Sequence, residues 1–575
     1  MSNEALLAST KACVSDRSNM LTESEIETIN KEILLFESLA SLSLPVNELA
    51  VLLAEACKPI YRTVQTCLCR SHEVAGLGCL SSCLSSSTIV NAFWEFGLLG
   101  LTSTSPNLIV GRGHIAPAFY AARYCHGGFP LCFVHSIHGA VPAVVHKDWG
   151  FANTMYHSLG EGIAMSIGRA LLTSRQGNGV HYYCFAGDGE LNEGICFEAI
   201  RIAYENDVRK YTLIVDDNES GIERLRKPLN IGYLESYFDK VHVIDKPYTS
   251  LLRKLEDCSE RGLREVIVCK TEKGFHSYKR PGSPAKSTTS STIGHILSRL
   301  KKDYNIHVIT PDMAGRFGLT EELEYINTGL SEQASVAMTL MLPANDIKFV
   351  LTDDKFLLNS IGCIQSAMLS VTNLQIIAVR RNDVWGGPVS TPNIFTSMDT
   401  LMVYELCDPD ILESILRDRV KARESTVYLF SDQSHKSIAP LKTGYRLIGR
   451  DFIYSQRGRR DTLFISTESF ASKVKSVSEH YEVSHLRVLC RRPHLIDEAR
   501  EIISKFRTIV VYEYNSSVSG LGEYLRSVLV RDIHIISVDF YELSAIHTIQ
   551  ERASGSSLEQ LIDSTARYID VRDQR

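Results

Sequence analysis

The sequence predicts an α/β protein whose parallel sheets are covered by helices on both faces. Three observations carry this. A β-rich run at residues 181–186 (HYYCFA) leads into the turn GDGELNEG. An amphipathic stretch follows, marked by Ile195, Ala199, Ile200 and Ala203, and then a second apolar run at residues 211–215 (YTLIV). That strand–loop–helix–strand order calls for a parallel sheet buried on both faces. The polar break at residues 279–292 (KRPGSPAKSTTSST) then separates this block from two further blocks of alternating pattern.

Taken in order, residues 1–60 read as a helical extension. Thr22-Glu23-Ser24-Glu25 opens an acidic first turn before Ile26, Ile29, Ile33 and Leu34, a pattern that suits packing or a dimer contact. Residues 61–280 form the first α/β domain. Residues 293–440 form the second, with strands expected at 306–309, 349–351 and 374–379. Residues 441–575 form a third, with strands at 462–465 and 508–511 and a helix at 496–506.

Composition bounds the function. The 575 residues allow three or four domains at about 150 residues each. A net charge of −6 leaves no basic excess for nucleic acid. The 36 glycines and 17 prolines exclude a collagen-like or low-complexity chain. Fifteen scattered cysteines read as reduced core thiols. The N-terminus lacks a basic region followed by an apolar core, and no run of about 18 apolar residues occurs. A cytoplasmic enzyme with no membrane span is the expectation.

Chemistry concentrates at Gly187-Asp188-Gly189, where a buried strand ends, and at Asn218, where the next one ends. Twenty-eight residues lie between Gly189 and Asn218. The glycines let the backbone turn tightly beside an anion. Asp188 and Asn218 offer hard oxygens at the C-terminal ends of neighbouring parallel strands, where open α/β sheets bind ligands. Magnesium prefers such oxygens and bridges protein to phosphate.

The segment GDGELNEGICFEAIRIAYENDVRKYTLIVDDN resembles the metal and diphosphate motif of the transketolase family of thiamine diphosphate enzymes, the group that includes 1-deoxyxylulose-5-phosphate synthase. The resemblance implies a three-domain architecture and a homodimer with interfacial sites. It also implies thiamine diphosphate with Mg2+ (or Ca2+ or Mn2+ in its place), the metal held by Asp188, Asn218 and the Ser220 carbonyl. NTGLSEQASVA at residues 327–337 resembles the pyrimidine-binding segment of the family. Glu332 would there promote the imino tautomer of the cofactor, which then deprotonates its own thiazolium carbon. By the same resemblance His114, in LIVGRGHIAPAFY, lies near the reaction centre. Gly160 opens a cofactor-binding helix with His157 just before it, Glu193 joins a proton network, and Phe356 packs on the aminopyrimidine.

Departures cluster where the family meets substrate. Cys79 replaces a histidine after Gly78, His157 replaces a small residue, and the expected histidine of the segment GGPVSTPN (386–393) is missing. Arg380, Arg381 and His276 are weaker candidates for substrate contact. The expected activity is transfer of a two-carbon unit from a ketose or 2-oxo acid donor to an aldehyde acceptor, on a non-standard substrate. A decarboxylating 2-oxo acid synthase and a catalytically silent regulatory homologue are the alternatives.

Overall fold

The computed structural model describes residues 2–57, 63–75, 79–137, 139–152, 158–176, 179–225, 227–245, 247–274, 289–370, 373–380, 391–396, 398, 401–431, 446–458, 461–493, 496–514, 520–529 and 534–538. The described residues fall into two units, one before residue 284 and one after it.

The first unit is built on a five-stranded sheet. Its strands are β1 (Leu108–Val110), β2 (Tyr182–Gly187), β3 (Tyr211–Asp217), β4 (Lys240–Ile244) and β5 (Arg264–Lys270), in the order β1-β2-β3-β5-β4. Every pairing is parallel. Alternation along the strands divides the apolar side chains between two layers. Leu108, Phe185, Ile214 and Ile267 join one core, and Cys184, Leu213, Val215 and Val266 join the other. Such strands read as continuous apolar runs because neither face meets water.

The N-terminal helices are part of this unit. Helix Glu23–Leu39 begins with a capping box in which Thr22 and Glu25 satisfy each other's backbone N–H groups. Its apolar positions Ile29 and Phe36 enter the first core. Two buried acids lie on the same helix. Glu25 pairs with His135 at 3.3 Å and with Arg70 at 3.1 Å. Glu32 accepts the N–H groups of Leu131 (3.0 Å) and Cys132 (2.7 Å), which opens the short helix Leu131–His135.

The second unit holds two sheets. One has six parallel strands: β6 (Ile306–Thr310), β7 (Ile326–Asn327), β8 (Ile347–Asp353), β9 (Leu374–Arg380), β10 (Met402–Leu406) and β11 (Thr426–Ser431). Their order is β10-β11-β9-β8-β6-β7. Its two faces feed separate cores, with Phe349, Leu351 and Ile377 on one side and Val350, Ile376 and Ala378 on the other. The remaining strands are β12 (Arg446–Ile448), β13 (Phe452–Ser455), β14 (Thr462–Thr467), β15 (Ser484–Val488), β16 (Thr508–Tyr514) and β17 (His534–Val538). They form a mixed sheet ordered β12-β13-β15-β14-β16-β17, antiparallel only at β12–β13 and β13–β15. The multi-domain α/β class expected from sequence is the class observed.

Several strands run past their expected ends, β3 to Asp217 and β8 to Asp353, because the ladder continues through acidic residues. All fifteen cysteines are free thiols. No described helix is long and apolar enough to cross a membrane.

Replacing Glu32 by Ala should leave two buried N–H groups without an acceptor and lower unfolding free energy by about 2–4 kcal/mol. Glu32→Gln, which keeps one acceptor, should lose less. Urea unfolding of the two variants measures the difference.

Candidate active site

In the first unit the candidate residues gather at the C-terminal ends of β1, β2 and β3. Asp188, buried, follows β2 directly. Its carboxylate accepts the N–H of Gly189 at 2.8 Å and of Ser220 at 3.1 Å. Asn218 follows β3. Its side-chain amide donates to Ser85 Oγ at 3.1 Å, while its Oδ1 is buried with no hydrogen-bond partner among the described residues. An orphaned amide oxygen beside a carboxylate is the donor set a hard divalent ion requires. A Cβ on Gly189 would stand 3.0 Å from Gly221 Cα and 3.6 Å from the Ser220 carbonyl, so this turn has no space for a side chain. Asp188, Asn218 and Ser220 therefore fit an oxygen-ligated metal.

Sequence reading missed the residues that hold this arrangement. Asp216, on β3, accepts from Ser85 Oγ (2.9 Å) and Ser86 Oγ (2.8 Å), and it is ion-paired with Arg112 and hydrogen-bonded by Thr271. Ser85 and Ser86 lie on helix Leu80–Glu95, and Arg112 follows β1. Glu190 accepts the N–H of Gly160 at 2.9 Å and of Gly187 at 3.2 Å, joining the start of helix Glu161–Arg175 to the end of β2. Gly160 has φ +86°, a conformation that favours glycine. Gly162, two residues on, lies against the backbone of Gly111, and a Cβ there would stand 2.5 Å from Gly111 Cα. The only signal for Asp216 and Glu190 in the sequence was their place inside the motif.

Electrostatics follow burial. Desolvation pushes the Asp188 carboxyl up to about 7, against the pull of Arg112. It does the same to Glu190, against the N–H groups of Gly160 and Gly187. His114 sits in the turn Gly113–Ile115 after β1. Burial, then the charges of Arg112 and Lys273, lower its imidazole to about 3, so the ring is neutral at pH 7. Glu193, buried, occupies the position just before helix Gly194–Glu205. Cys79 stands half-buried just before helix Leu80–Glu95, and the Cys83 thiol one turn on meets the His114 carbonyl at 3.9 Å.

In the second unit, Glu332 opens helix Glu332–Met338 and is buried, with Oε2 lacking any hydrogen-bond partner among the described residues. Burial first, then Asp353 and Asp312, raise its carboxyl to about 7. A protonated or hydrogen-bonding partner is what such an oxygen lacks. Phe356, half-buried, begins the turn Phe356–Ser360 that packs on that helix. Arg380 ends β9 buried and ion-paired with Glu405 at 3.0 Å. His157, His276, Arg381 and residues 386–390 lie outside the described residues.

The stretch that carries the oxygen-rich turn after β2 is similar to 1-deoxy-D-xylulose-5-phosphate synthases and transketolases. Residues 152–287, which contain Asp188, Glu193 and Asn218, match the N-terminal domain of the 1-deoxy-D-xylulose-5-phosphate synthase family. The chain is 27% identical over 191 residues to human (Homo sapiens) transketolase-like protein 2, covering 30% of each chain. It is 29% identical over 188 residues to a Staphylococcus aureus transketolase, covering 29% of this chain and 26% of that one. The matched stretch thus spans 26–30% of the length of these relatives. The Campylobacter jejuni transketolase crystal structure aligns at 14% identity with a TM-score of 0.38, over 84% of this chain and 99% of that one.

Glu332 makes stability pH-dependent. The folded chain keeps its proton up to about pH 7, whereas the unfolded chain releases it near 4.5, so stability falls as pH rises between those values. Glu332→Gln should remove this loss. Its unfolding free energy should gain on the native protein by on the order of 2–3 kcal/mol between about pH 5 and about pH 7, read by denaturant titration at each pH.

Proposed function

We propose that this protein is a thiamine diphosphate- and magnesium-dependent transferase that moves a two-carbon ketol or acyl unit to an aldehyde acceptor. The observation that carries the reading is the pair of orphaned buried oxygens, Asn218 Oδ1 and Glu332 Oε2, each at the position where the family motif needs a ligand contact. The bound cofactor supplies a ring carbon acidic enough to become a nucleophile toward a carbonyl. Asp188, Asn218 and the Ser220 carbonyl hold the metal that neutralises the diphosphate. Arg112, buried beside Asp188, adds positive charge to the same place. Glu332 holds or shares a proton with the pyrimidine ring, a role that suits a carboxyl poised near 7. His114 enters neutral, so its ring can hydrogen-bond to donor or acceptor without adding charge. Phe356 supplies a flat apolar contact, and Gly160 and Glu193 shape the wall beside the metal turn.

The reading includes three domains, spanning 61–280, 293–440 and 441–575, and a homodimer in a cytoplasmic setting. Exposed apolar side chains on two neighbouring helices support the dimer: Met165 and Leu172 on one, Ile195, Phe197 and Tyr204 on the other. The rebuilt substrate positions, with Cys79 in place of a histidine, point away from ordinary sugar phosphates.

Calorimetric titration with thiamine diphosphate and Mg2+ tests the core of the reading. The native protein should bind only when the metal is present, and Asn218→Ala should weaken that binding at least about 10-fold. Metal-independent binding, or none at all, overturns it. A donor panel followed by mass spectrometry of cofactor–donor adducts then separates ketose from 2-oxo acid donors. Glu332→Ala should form no adduct.

Leu172→Glu together with Phe197→Glu should shift sedimentation from dimer toward monomer at micromolar concentration.

A further inference from the structure

The first sheet carries a second polar cluster at the end away from Asp188. Glu265 is the second residue of β5, so it lies at the N-terminal edge of the parallel strands, whereas Asp188 follows the C-terminal end of β2. Register pairs Glu265 with Thr212 on β3, and Ile267 with His242 on β4. Paired residues share a face, as do residues two apart on one strand, so Thr212, His242 and Glu265 lie on one side of the sheet. Helix Pro247–Arg261 covers that side, since its Cys258 enters the same core as Ile267.

Three kinds of metal ligand meet there. One ligand atom from each of His242, Cys258 and Glu265 lies within 4.8 Å of the other two. His242 Nε2 is 2.6 Å from Glu265 Oε2, and the Cys258 thiol donates to the same oxygen at 3.4 Å. An imidazole, a thiol and a carboxylate this close are the donors of a tetrahedral zinc site, where ligand atoms stand about 2.0–2.3 Å from the ion. Cys258 and the Glu265 side chain are closed to solvent. The side chains of His242 and Arg261 keep 15% and 28% of their exposure, which leaves a way in.

A cation already stands among these atoms. Arg261, the last residue of the helix, donates from Nη2 to Glu265 Oε2 at 2.7 Å, and the same nitrogen is 3.4 Å from His242 Nε2 and 3.6 Å from Cys258 Sγ. One positive centre is thus surrounded by all three ligand atoms. The guanidinium also has an outward partner in Asp257, partly exposed and 3.7 Å from Nη1. Charge balances in either arrangement. A carboxylate with a guanidinium is neutral, and so is a divalent ion with a carboxylate and a thiolate, as burial requires.

We propose that His242, Cys258 and Glu265 form a Zn2+ site, with Arg261 as the internal cation that the ion displaces. On binding, the Cys258 thiol passes its proton to solvent and its sulfur bonds to the ion beside His242 Nε2 and a Glu265 oxygen. Water takes the fourth position, and Arg261 turns outward toward Asp257. Thr212 hydrogen-bonds the Cys258 thiol and steadies the sulfur. The ion fastens the edge strand β4 to β5 and to the helix that covers them. This role is independent of the thiamine diphosphate reading.

Zinc titration of the chelator-treated full-length protein against a chromophoric competitor tests the site, with excess Mg2+ present throughout to occupy the hard-oxygen turn. The native protein should bind one zinc ion that Cys258→Ala and His242→Gln each bind at least about 10-fold more weakly. Arg261→Gln should bind it more tightly, because the competing cation is gone. A purely structural ion pair predicts lower stability in Arg261→Gln and no gain in zinc affinity. With cobalt as the probe, the native protein should show a thiolate-to-metal absorption that Cys258→Ala lacks. No zinc bound by the native protein, native-like affinity in Cys258→Ala and His242→Gln, or no gain in Arg261→Gln overturns the assignment. If Cys258→Ala does not fold, His242→Gln carries the test, and native-like zinc affinity in it refutes the site.

Discussion

Asp216 is where the first unit is tied together. Its two carboxylate oxygens take Ser85, Ser86, Arg112 and Thr271, which come from a helix, the loop after β1 and the loop after β5. A buried carboxylate with so many donors is costly to disturb, because losing one partner leaves the rest of the charge uncompensated. The same contacts place Arg112 beside Asp188 and hold Ser85 against Asn218. The turn at Gly187-Asp188-Gly189 is therefore positioned by an acid that lies outside it. Glu190 does comparable work one strand away, fastening Gly160 to Gly187 through backbone N–H groups.

The second unit uses the opposite arrangement. Glu332 Oε2 and Asp354 Oδ1 are buried with no hydrogen-bond partner among the described residues. Burial raises the Glu332 carboxyl to about 7, and it raises Asp188 and Glu190 to about 7 as well, against the N–H groups that those two accept.

Much of this could be read from the chain. The buried strands β2 and β3, the turn Asp188 sits in and the spacing to Asn218 were legible because apolar runs and glycine-flanked acids are local patterns. Glu332 was legible because it opens a helix inside a recognisable segment. Asp216, Ser85, Ser86 and Arg112 were not, since the contacts among them span 26 to 131 positions and no local pattern encodes such distances. Asp354 was hidden for another reason. The pair Asp353-Asp354 looks like a solvated strand end, and only the continuing ladder shows that the strand carries both acids into the interior. The helical residues 1–60 looked like an appendage, yet Glu25 and Glu32 enter the interior of the unit.

The contact between Gly111 and Gly162 has a further consequence for how such a chain can diverge. Backbone meets backbone there, with no side chain to yield, and Glu190 fills the other side of Gly111. A methyl group at Gly162 would push the helix off the sheet end and move the Gly160 N–H with it, whereas one at Gly111 would meet the Glu190 carboxylate. A side chain at Gly162 therefore requires the sheet end itself to shift, a constraint that Cys79, half-buried ahead of its own helix, does not share.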